Sequence, residues 1–173
     1  MYATTKVLVM GVAGSGKSTL AAALARALRA TLIEGDDHHL PQSQHKMRSG
    51  VPLQDADREP WLGRLGDLLA AELGPAVLTC SALKRRYRER LRTAVPALRT
   101  VYIDIAPDAS RARVAARPGH VFPAGLVTSQ FDTLEVPTDE PHVLHLPAQQ
   151  TPSDQVQAVL QWLAAPLNQR DAP

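Results

Sequence analysis

The stretch GVAGSGKSTL, residues 11–20, decides the fold of this chain, because it places a glycine-rich loop directly after the apolar residues 7–10. It fits the pattern G-x-x-x-x-G-K-[ST] at Gly11, Gly16, Lys17 and Ser18. Glycines let backbone N–H groups turn inward around phosphate oxygens, and the positive end of the following helix dipole points at the same place. A strand, this loop and a helix in succession therefore predict a site for a nucleoside triphosphate.

The same pattern predicts what the individual loop residues do. Lys17 is expected to reach the β- and γ-phosphates and to act in catalysis, Ser18 to ligate Mg²⁺, and Thr19 to contact the α-phosphate. The other predicted nucleotide-binding residues of the loop are Gly11, Ala13, Gly14, Ser15 and Gly16. The pattern alone does not separate a kinase from a GTPase or a motor protein.

The composition of the 173 residues, of which 45% are apolar, predicts a single folded domain over residues 1–173. A net charge of +2 suits a small anionic ligand as well as it suits nucleic acid. The single cysteine, Cys80, excludes a disulfide within the chain and favours a reducing compartment. Because no apolar run approaches the length of a membrane span and no signal-peptide pattern begins the chain, we expect a cytoplasmic protein without a membrane segment.

Short β-branched runs alternate with helical patterns along the chain. The predicted strands are Lys6–Met10, 31–33, Ala76–Thr79, 100–105 and 142–146. The predicted helices are residues 18–30, a helix with Leu83, Tyr87 and Leu91 on one face, residues 109–117 capped by Asp108, and a last helix capped by Ser153. This order predicts an α/β fold of the P-loop NTPase type, a three-layer sandwich with a five-stranded parallel sheet and helices on both faces. Such sheets bind ligands at the carboxyl ends of their strands.

Acidic residues follow the second predicted strand, in the segment Glu34-Gly35-Asp36-Asp37. Alternation along a strand would place Glu34 and Asp36 on the same side. One carboxylate could then hold Mg²⁺ through water while the other aims at an acceptor hydroxyl, although a solvated acidic turn is the plain alternative. Because the chain has no Asn-Lys-x-Asp segment for reading guanine, a compact kinase for a small molecule is favoured over a GTPase.

Three further blocks resemble the gluconokinase family. The first, GDDHHLPQSQHKMRSGVPLQDADREPWL at residues 35–62, has the family's Gly-Asp, Lys-Met, Gly-x-Pro-Leu, Asp-x-Asp-Arg and Pro-Trp-Leu elements. The second, CSALKRRYRERLR at residues 80–92, has its Cys-Ser-Ala-Leu-Lys element. The third, ARPGHVFPAGLVTSQFDTLEVP at residues 116–137, looks like the family's lid followed by Ser-Gln-Phe-x-x-Leu-Glu. The chain departs from the family at Glu34, where Asp is usual, and at Leu40, where Pro is usual.

This resemblance implies ATP-dependent phosphorylation of D-gluconate at the 6-hydroxyl, with Mg²⁺ as cofactor, in a homodimer with a helical lid at about residues 110–135. Asp36 would orient the acceptor hydroxyl and take its proton, and Glu34 would join Ser18 at the metal. Arg113 and Arg117 would contact ATP, with Arg117 stabilising the transferring phosphoryl group. The remaining candidates for binding gluconate, including an arginine or lysine for its carboxylate, are His39, Lys46, Arg58, Ser81, Lys84, Arg88, His120 and Gln130.

Several alternatives stay open at this stage. The chain could be another small P-loop kinase, acting on shikimate or a nucleoside monophosphate, or a non-catalytic nucleotide-binding or RNA-binding module. The basic run at residues 84–92 is a possible nucleic-acid patch, but most of it reads as solvated surface, and we expect no nucleic-acid partner. Asp57 could contact substrate or metal, or could simply cap a helix beginning near Pro60.

Overall fold

A computed structural model describes residues 4–116 and 124–165, and its centre is a five-stranded parallel sheet. The strands are β1 (Lys6–Met10), β2 (Thr31–Glu34), β3 (Ala76–Thr79), β4 (Arg99–Asp104) and β5 (Val143–Pro147), in the spatial order β2-β3-β1-β4-β5. The central strand β1 is buried along its whole length, as a strand covered on both faces must be. The predicted fold class is confirmed.

Seven helices occupy the described ranges, together with a short 3₁₀ helix at Gly35–His38. They are α1 (Lys17–Leu28), α2 (Pro41–Arg48), α3 (Asp55–Ala71), α4 (Arg85–Ala94), α5 (Pro107–Ala115), α6 (Ala124–Thr133) and α7 (Pro152–Ala164). None of the helices in these described segments is both long and apolar enough to cross a bilayer.

Alternation along β1 divides the core between the two faces of the sheet. Val7 and Val9 belong to an apolar cluster with residues of α1 and α7, whereas Leu8 and Met10 belong to a second cluster with residues of α3 and α4. Successive side chains of a strand point to opposite faces, so one strand supplies both cores. Because all five strands are parallel, the loops that follow them lie at one edge of the sheet.

The helix starts differ from several of the predictions. Helix α5 begins at Pro107 with Ala106 as its N-cap residue, so Asp108 lies in the first turn and is not the cap. Helix α7 is capped by Thr151, whose hydroxyl accepts a hydrogen bond from the Asp154 N–H at 3.2 Å, and not by Ser153. In both cases a proline at the first helical position fixes the start of the helix.

Helix α3 begins five residues earlier than predicted. It starts at Asp55, and Pro60 lies inside it. Asp57 nevertheless caps the helix, because its carboxylate accepts a hydrogen bond from the Gln54 N–H at 2.9 Å while the Gln54 side chain bonds the Asp57 N–H. This reciprocal capping box satisfies N–H groups that would otherwise lack a partner at the helix start.

Candidate active site

The loop after β1 has the backbone geometry that a phosphate-binding loop requires. Gly11, Gly14 and Gly16 have φ angles of 145°, 72° and 103°, which L side chains rarely adopt. A Cβ atom at Gly11 would also lie 2.9 Å from the Ile103 carbonyl oxygen. The Lys17 ammonium, at the first residue of α1, donates to the Val12 carbonyl at 3.0 Å, so the lysine lies over its own loop.

Helices α5 and α6 contact this loop from the side. The Ala13 N–H donates to the Gln130 amide oxygen of α6 at 2.6 Å, and the Ser110 hydroxyl of α5 donates to the Ala13 carbonyl at 2.7 Å. Arg113 donates to the Gly14 carbonyl at 3.4 Å and to the Ala148 carbonyl at 2.8 Å. Gln130 therefore contacts the phosphate loop in the structure, whereas the resemblance had suggested that it contacts gluconate.

The two residues predicted to serve the metal lie together. The Ser18 hydroxyl donates to the Glu34 carboxylate at 3.1 Å, and the Thr79 hydroxyl donates to the same carboxylate oxygen at 2.7 Å. Thr79 also accepts a hydrogen bond from the Gly35 N–H at 3.1 Å. Sequence reasoning missed Thr79, although its position at the carboxyl end of a predicted strand was a usable signal. The described residues contain no group of three or more His, Cys, Asp or Glu side chains that could hold a metal by themselves.

Asp36 does not lie on a strand, so the alternation argument that paired it with Glu34 is wrong. Strand β2 ends at Glu34, and Asp36 belongs to the 3₁₀ helix, where its carboxylate is 84% exposed. The chain turns here because Gly35 packs against β3: a Cβ atom on Gly35 would lie 2.1 Å from the Thr79 carbonyl oxygen. An exposed carboxylate at this edge of the sheet is accessible to a ligand.

The buried thiol of Cys80 shows how the charges are grouped at the end of β3. Burial raises its pKa to about 12, and the charges of Asp36, Lys17 and Arg58 all act on it. Such interactions weaken with distance. Asp36, Lys17 and Arg58 therefore lie near Cys80, which directly follows β3 and precedes the partly exposed Ser81.

His39 is held in place by Trp61. The two rings stack with their centroids 3.9 Å apart, and the Trp61 indole N–H donates to the Gly35 carbonyl at 2.8 Å. Burial lowers the pKa of His39, the charge of Arg58 lowers it further, and Asp36 opposes both. His39 Nε2 lies 3.8 Å from the Asp36 carboxylate. A neutral imidazole beside an exposed carboxylate can read a hydroxyl group as donor or acceptor.

Three cations surround the ring of Tyr87. Arg58, Lys84 and Arg86 have their charged groups 5.7, 5.8 and 5.5 Å from the ring centroid. The Asp55 carboxylate accepts hydrogen bonds from the Lys84 ammonium at 3.0 and 3.1 Å and from the Tyr87 hydroxyl, and it forms an ion pair with Arg86. Arg86 is 56% exposed, in agreement with its prediction as solvated surface, and its place beside Tyr87 depends on how α3 and α4 pack.

Two of the predicted substrate-binding cations already have acidic partners, and a third does not. Lys84 pairs with Asp55, and the Lys46 ammonium lies 2.6 Å from the Asp57 carboxylate, whose pKa it lowers by a hydrogen bond. Arg58 donates to the Leu53 carbonyl at 2.5 Å and makes no ion pair within the described part of the chain.

Arg88 is not available to a substrate, contrary to the prediction. Its side chain is 1% exposed, and all three of its nitrogens donate to protein acceptors. Nε contacts both Glu140 carboxylate oxygens, Nη1 the Ala82 and Leu83 carbonyls, and Nη2 the Glu135 carbonyl and Glu140. A guanidinium has five N–H donors, and this set of acceptors uses them all. Of the other predicted site residues, Ser15 is buried in the phosphate loop and Thr19 is exposed on α1, whereas Arg117 and His120 lie outside the described residues.

A parallel sheet whose first strand runs through a glycine-rich loop into a helix, with a carboxylate bonded to the loop serine, defines a P-loop phosphotransferase. The family model described as an AAA domain matches residues 7–137. The chain is 44% identical over 149 residues to a gluconokinase from Gluconobacter oxydans (strain 621H), with 84% of each chain covered.

Two further comparisons agree. The thermoresistant gluconokinase of Escherichia coli (strain K12) is 41% identical over 141 residues, which cover 79% of this chain and 81% of that protein. The crystal structure of a gluconokinase from Sinorhizobium meliloti 1021 has a TM-score of 0.86 at 38% identity, with 95% of each chain covered. The chain belongs to the gluconokinase family.

Proposed function

We propose that this chain transfers the γ-phosphoryl group of ATP to the 6-hydroxyl of D-gluconate, giving 6-phospho-D-gluconate and ADP. Family membership over most of the chain supports the kinase activity and the substrate. The observation in the structure that best supports it is the hydrogen bond from Ser18 of the phosphate loop to Glu34, because it brings the loop to the end of β2, two residues before the exposed Asp36. Transfer to a hydroxy acid needs a cation for the phosphates, a carboxylate for the hydroxyl and a cation for the acid group. Lys17, Asp36 and Arg58, which has no acidic partner in the described part of the chain, are suited to these tasks.

The substrate is tested by measuring ADP release with a panel of acceptors. We expect turnover with gluconate, and only background release with shikimate, with nucleoside monophosphates and without acceptor. The alternative of another small P-loop kinase would be favoured if one of those acceptors gave turnover and gluconate did not. A non-catalytic nucleotide-binding module would give no acceptor-dependent release with any of them.

In this proposal the phosphate loop and Lys17 bind the β- and γ-phosphates. Phosphoryl transfer depends mainly on positioning and on neutralising charge, and less on covalent chemistry by the protein. The 6-hydroxyl oxygen of gluconate forms a bond to the γ-phosphorus as the bond to the bridging oxygen of ADP breaks. Asp36, whose carboxylate is exposed, orients that hydroxyl and accepts its proton.

Mg²⁺ fits the residues beside the loop. Ser18 would ligate it directly, and Glu34, fixed by hydrogen bonds from Ser18 and Thr79, would hold it through water. Two oxygen donors are enough for a magnesium site that also uses the phosphates of the nucleotide. When bound, the ion neutralises charge on the phosphates. The use of Glu in place of the family's usual Asp is compatible with this arrangement.

Arg58 is the residue that we propose binds the gluconate carboxylate. A guanidinium can bind both oxygens of a carboxylate, and Arg58 is the predicted cation that lacks an acidic partner in the described part of the chain. Lys84 and Arg86 also lie close to the Tyr87 ring, but both pair with Asp55. His39, Lys46, Ser81 and Lys84 would then contact the hydroxyl groups of gluconate.

Replacement of Arg58 by alanine is expected to raise the KM for gluconate by about 10- to 100-fold, the range expected for a lost hydrogen bond to a charged group. The KM for ATP is expected to change by less than about twofold. Arg64→Ala, at an exposed position on the same helix, is the matched control and should behave like the wild type. An unchanged KM for gluconate in Arg58→Ala would move the carboxylate site elsewhere.

The remaining parts of the proposal rest on the resemblance. Arg113 and Arg117 would contact ATP, His120 would lie near gluconate, and residues of about 110–135 would form the lid. A homodimer in the cytoplasm is proposed on the same basis.

A further inference from the structure

Ala13 of the phosphate loop is held on both sides of its Cα atom by helices from outside the loop, one through its N–H and the other through its carbonyl. The Ala13 N–H donates to Gln130 of α6 at 2.6 Å, and the Ala13 carbonyl accepts from Ser110 of α5 at 2.7 Å. Ser110 is fully buried and Gln130 is half-buried. Neither residue belongs to the loop pattern, and they come from positions about 100 residues further along the chain.

The Val12–Ala13 peptide is also held from within the loop, because the Val12 carbonyl accepts from the Ser15 N–H at 3.3 Å and from Lys17 at 3.0 Å. Ala13 itself lies outside any helix or strand, between Gly11 and Gly14, which both have positive φ angles. Glycine has more backbone freedom than other residues, so the unliganded loop has many conformations to lose. The orientations of the two peptide groups that meet at Ala13 set the direction in which the chain enters Gly14 and hence where the following N–H groups point.

Helix α5 also limits the space around the loop. A Cβ atom on Gly14 would lie 2.9 Å from the Ser110 carbonyl oxygen and 3.1 Å from a methyl group of Val114. The loop is therefore pressed against the same turn of α5 that carries the Ser110 hydroxyl. Helix α5 contributes a hydrogen bond and close packing, and α6 contributes a second hydrogen bond. Together they hold the backbone on both sides of Ala13 in one orientation.

We propose that Gln130, together with Ser110, is a positioning residue for the nucleotide: the two side chains help to fix the peptide groups on either side of Ala13, so that the phosphate loop is preformed before ATP binds. The Ala13 N–H is used by Gln130, so other N–H groups of the loop would bind the phosphate oxygens. Preforming a loop reduces the conformational entropy lost on binding and so increases affinity. This role differs from the gluconate contact that the family resemblance suggested for Gln130, and it rests on the proposed function only in taking ATP as the ligand.

The first test replaces Gln130 by methionine, which keeps the length of the side chain and removes the acceptor. Binding of a non-hydrolysable ATP analogue with Mg²⁺ is measured by calorimetry, and the KM for gluconate by ADP release. We expect the Kd of the analogue to rise about tenfold, as for one lost hydrogen bond, and the KM for gluconate to stay within about twofold. Gln161→Met, at an exposed position of α7, is the matched control and should bind like the wild type.

Two results would overturn the proposal. An unchanged Kd for the analogue would show that the hydrogen bond does not prepare the loop. A KM for gluconate that rises as much as the Kd, or more, would return Gln130 to the acceptor site. Because the analogue is bound without transfer, its Kd does not depend on gluconate being the acceptor, so this proposal can fail while the proposed function stands.

Ser110→Ala provides a second variant that acts on the same residue, Ala13, from α5. It should also weaken binding of the analogue, and the double variant should weaken it by less than the product of the two single effects, because either change already loosens the backbone at Ala13. Thermal unfolding of all variants shows whether the fold is kept. Fully multiplicative effects of the two substitutions would mean that Gln130 and Ser110 act independently and would contradict a shared role.

Discussion

Replacement of Asp36 by alanine is expected to lower kcat about a thousandfold, within the range for losing a general base, while ATP affinity changes by less than about twofold. The carboxylate is exposed and lies 3.8 Å from His39 Nε2, just after the end of β2, where Glu34 accepts a hydrogen bond from Ser18 of the phosphate loop. We therefore expect Asp36 to orient the acceptor hydroxyl and to contribute little to ATP binding. Steady-state kinetics with gluconate and calorimetry with an ATP analogue give the two readouts.

Asp37→Ala is the matched control for this prediction. Asp37 is the next residue in the same 3₁₀ helix, carries the same charge and is also exposed. Loss of a surface charge alone should leave kcat within about twofold, since surface substitutions rarely have large effects. If the two variants lost activity equally, the negative charge of the whole segment would be responsible, and not the Asp36 carboxylate in particular. Unchanged transfer in Asp36→Ala would remove Asp36 from the reaction.

Replacement of Glu140 by glutamine is expected to lower the free energy of unfolding by about 3 kcal/mol or more, as for breaking a buried ion pair. The Glu140 side chain is 4% exposed, and its carboxylate neutralises Arg88, which is 1% exposed, and Arg92, which is 16% exposed. Glutamine keeps the size but leaves the guanidinium of Arg88 charged and buried. Chemical denaturation at pH 7 measures the loss, and Asp139→Asn, at an exposed neighbouring position, is expected to cost less than about 0.5 kcal/mol.

The pH dependence of stability gives a second measure of the same pair. Burial acts to raise the pKa of Glu140, but hydrogen bonds from Arg88 and Arg92 outweigh it, so the pKa lies below its ordinary value of 4.5. A carboxylate with a lowered pKa stabilises the fold fully above its unfolded pKa, and this contribution is lost as pH falls through the folded pKa. The difference in stability between wild type and Glu140→Gln should therefore be constant above about pH 5 and shrink in more acidic solution. A constant difference down to pH 3 would contradict this assignment.

The sequence by itself determined the phosphate loop, the succession of strands and helices along the chain, and the class of protein. These follow from patterns within short stretches: a glycine spacing that backbone geometry demands, β-branched runs, and blocks of residues characteristic of one family. The assignments of Ser18 and Glu34 to neighbouring positions were also reached this way. Local rules worked here because each depends on residues close together in the chain, and the carboxyl ends of parallel strands meet at one edge.

Only the tertiary structure decided which of the predicted substrate-binding basic residues have acidic partners. Arg58 and Arg88 look alike in the sequence, but packing of the 135–140 segment on α4 surrounds Arg88 with acceptors and leaves Arg58 without an acidic partner in the described part of the chain. The contact of Gln130 with the phosphate loop was also decided only by the tertiary structure, because it depends on where α6 packs. A hydrogen-bond partner distant in the sequence leaves no periodic signal, because its identity depends on how helices pack and not on the spacing of residues within them.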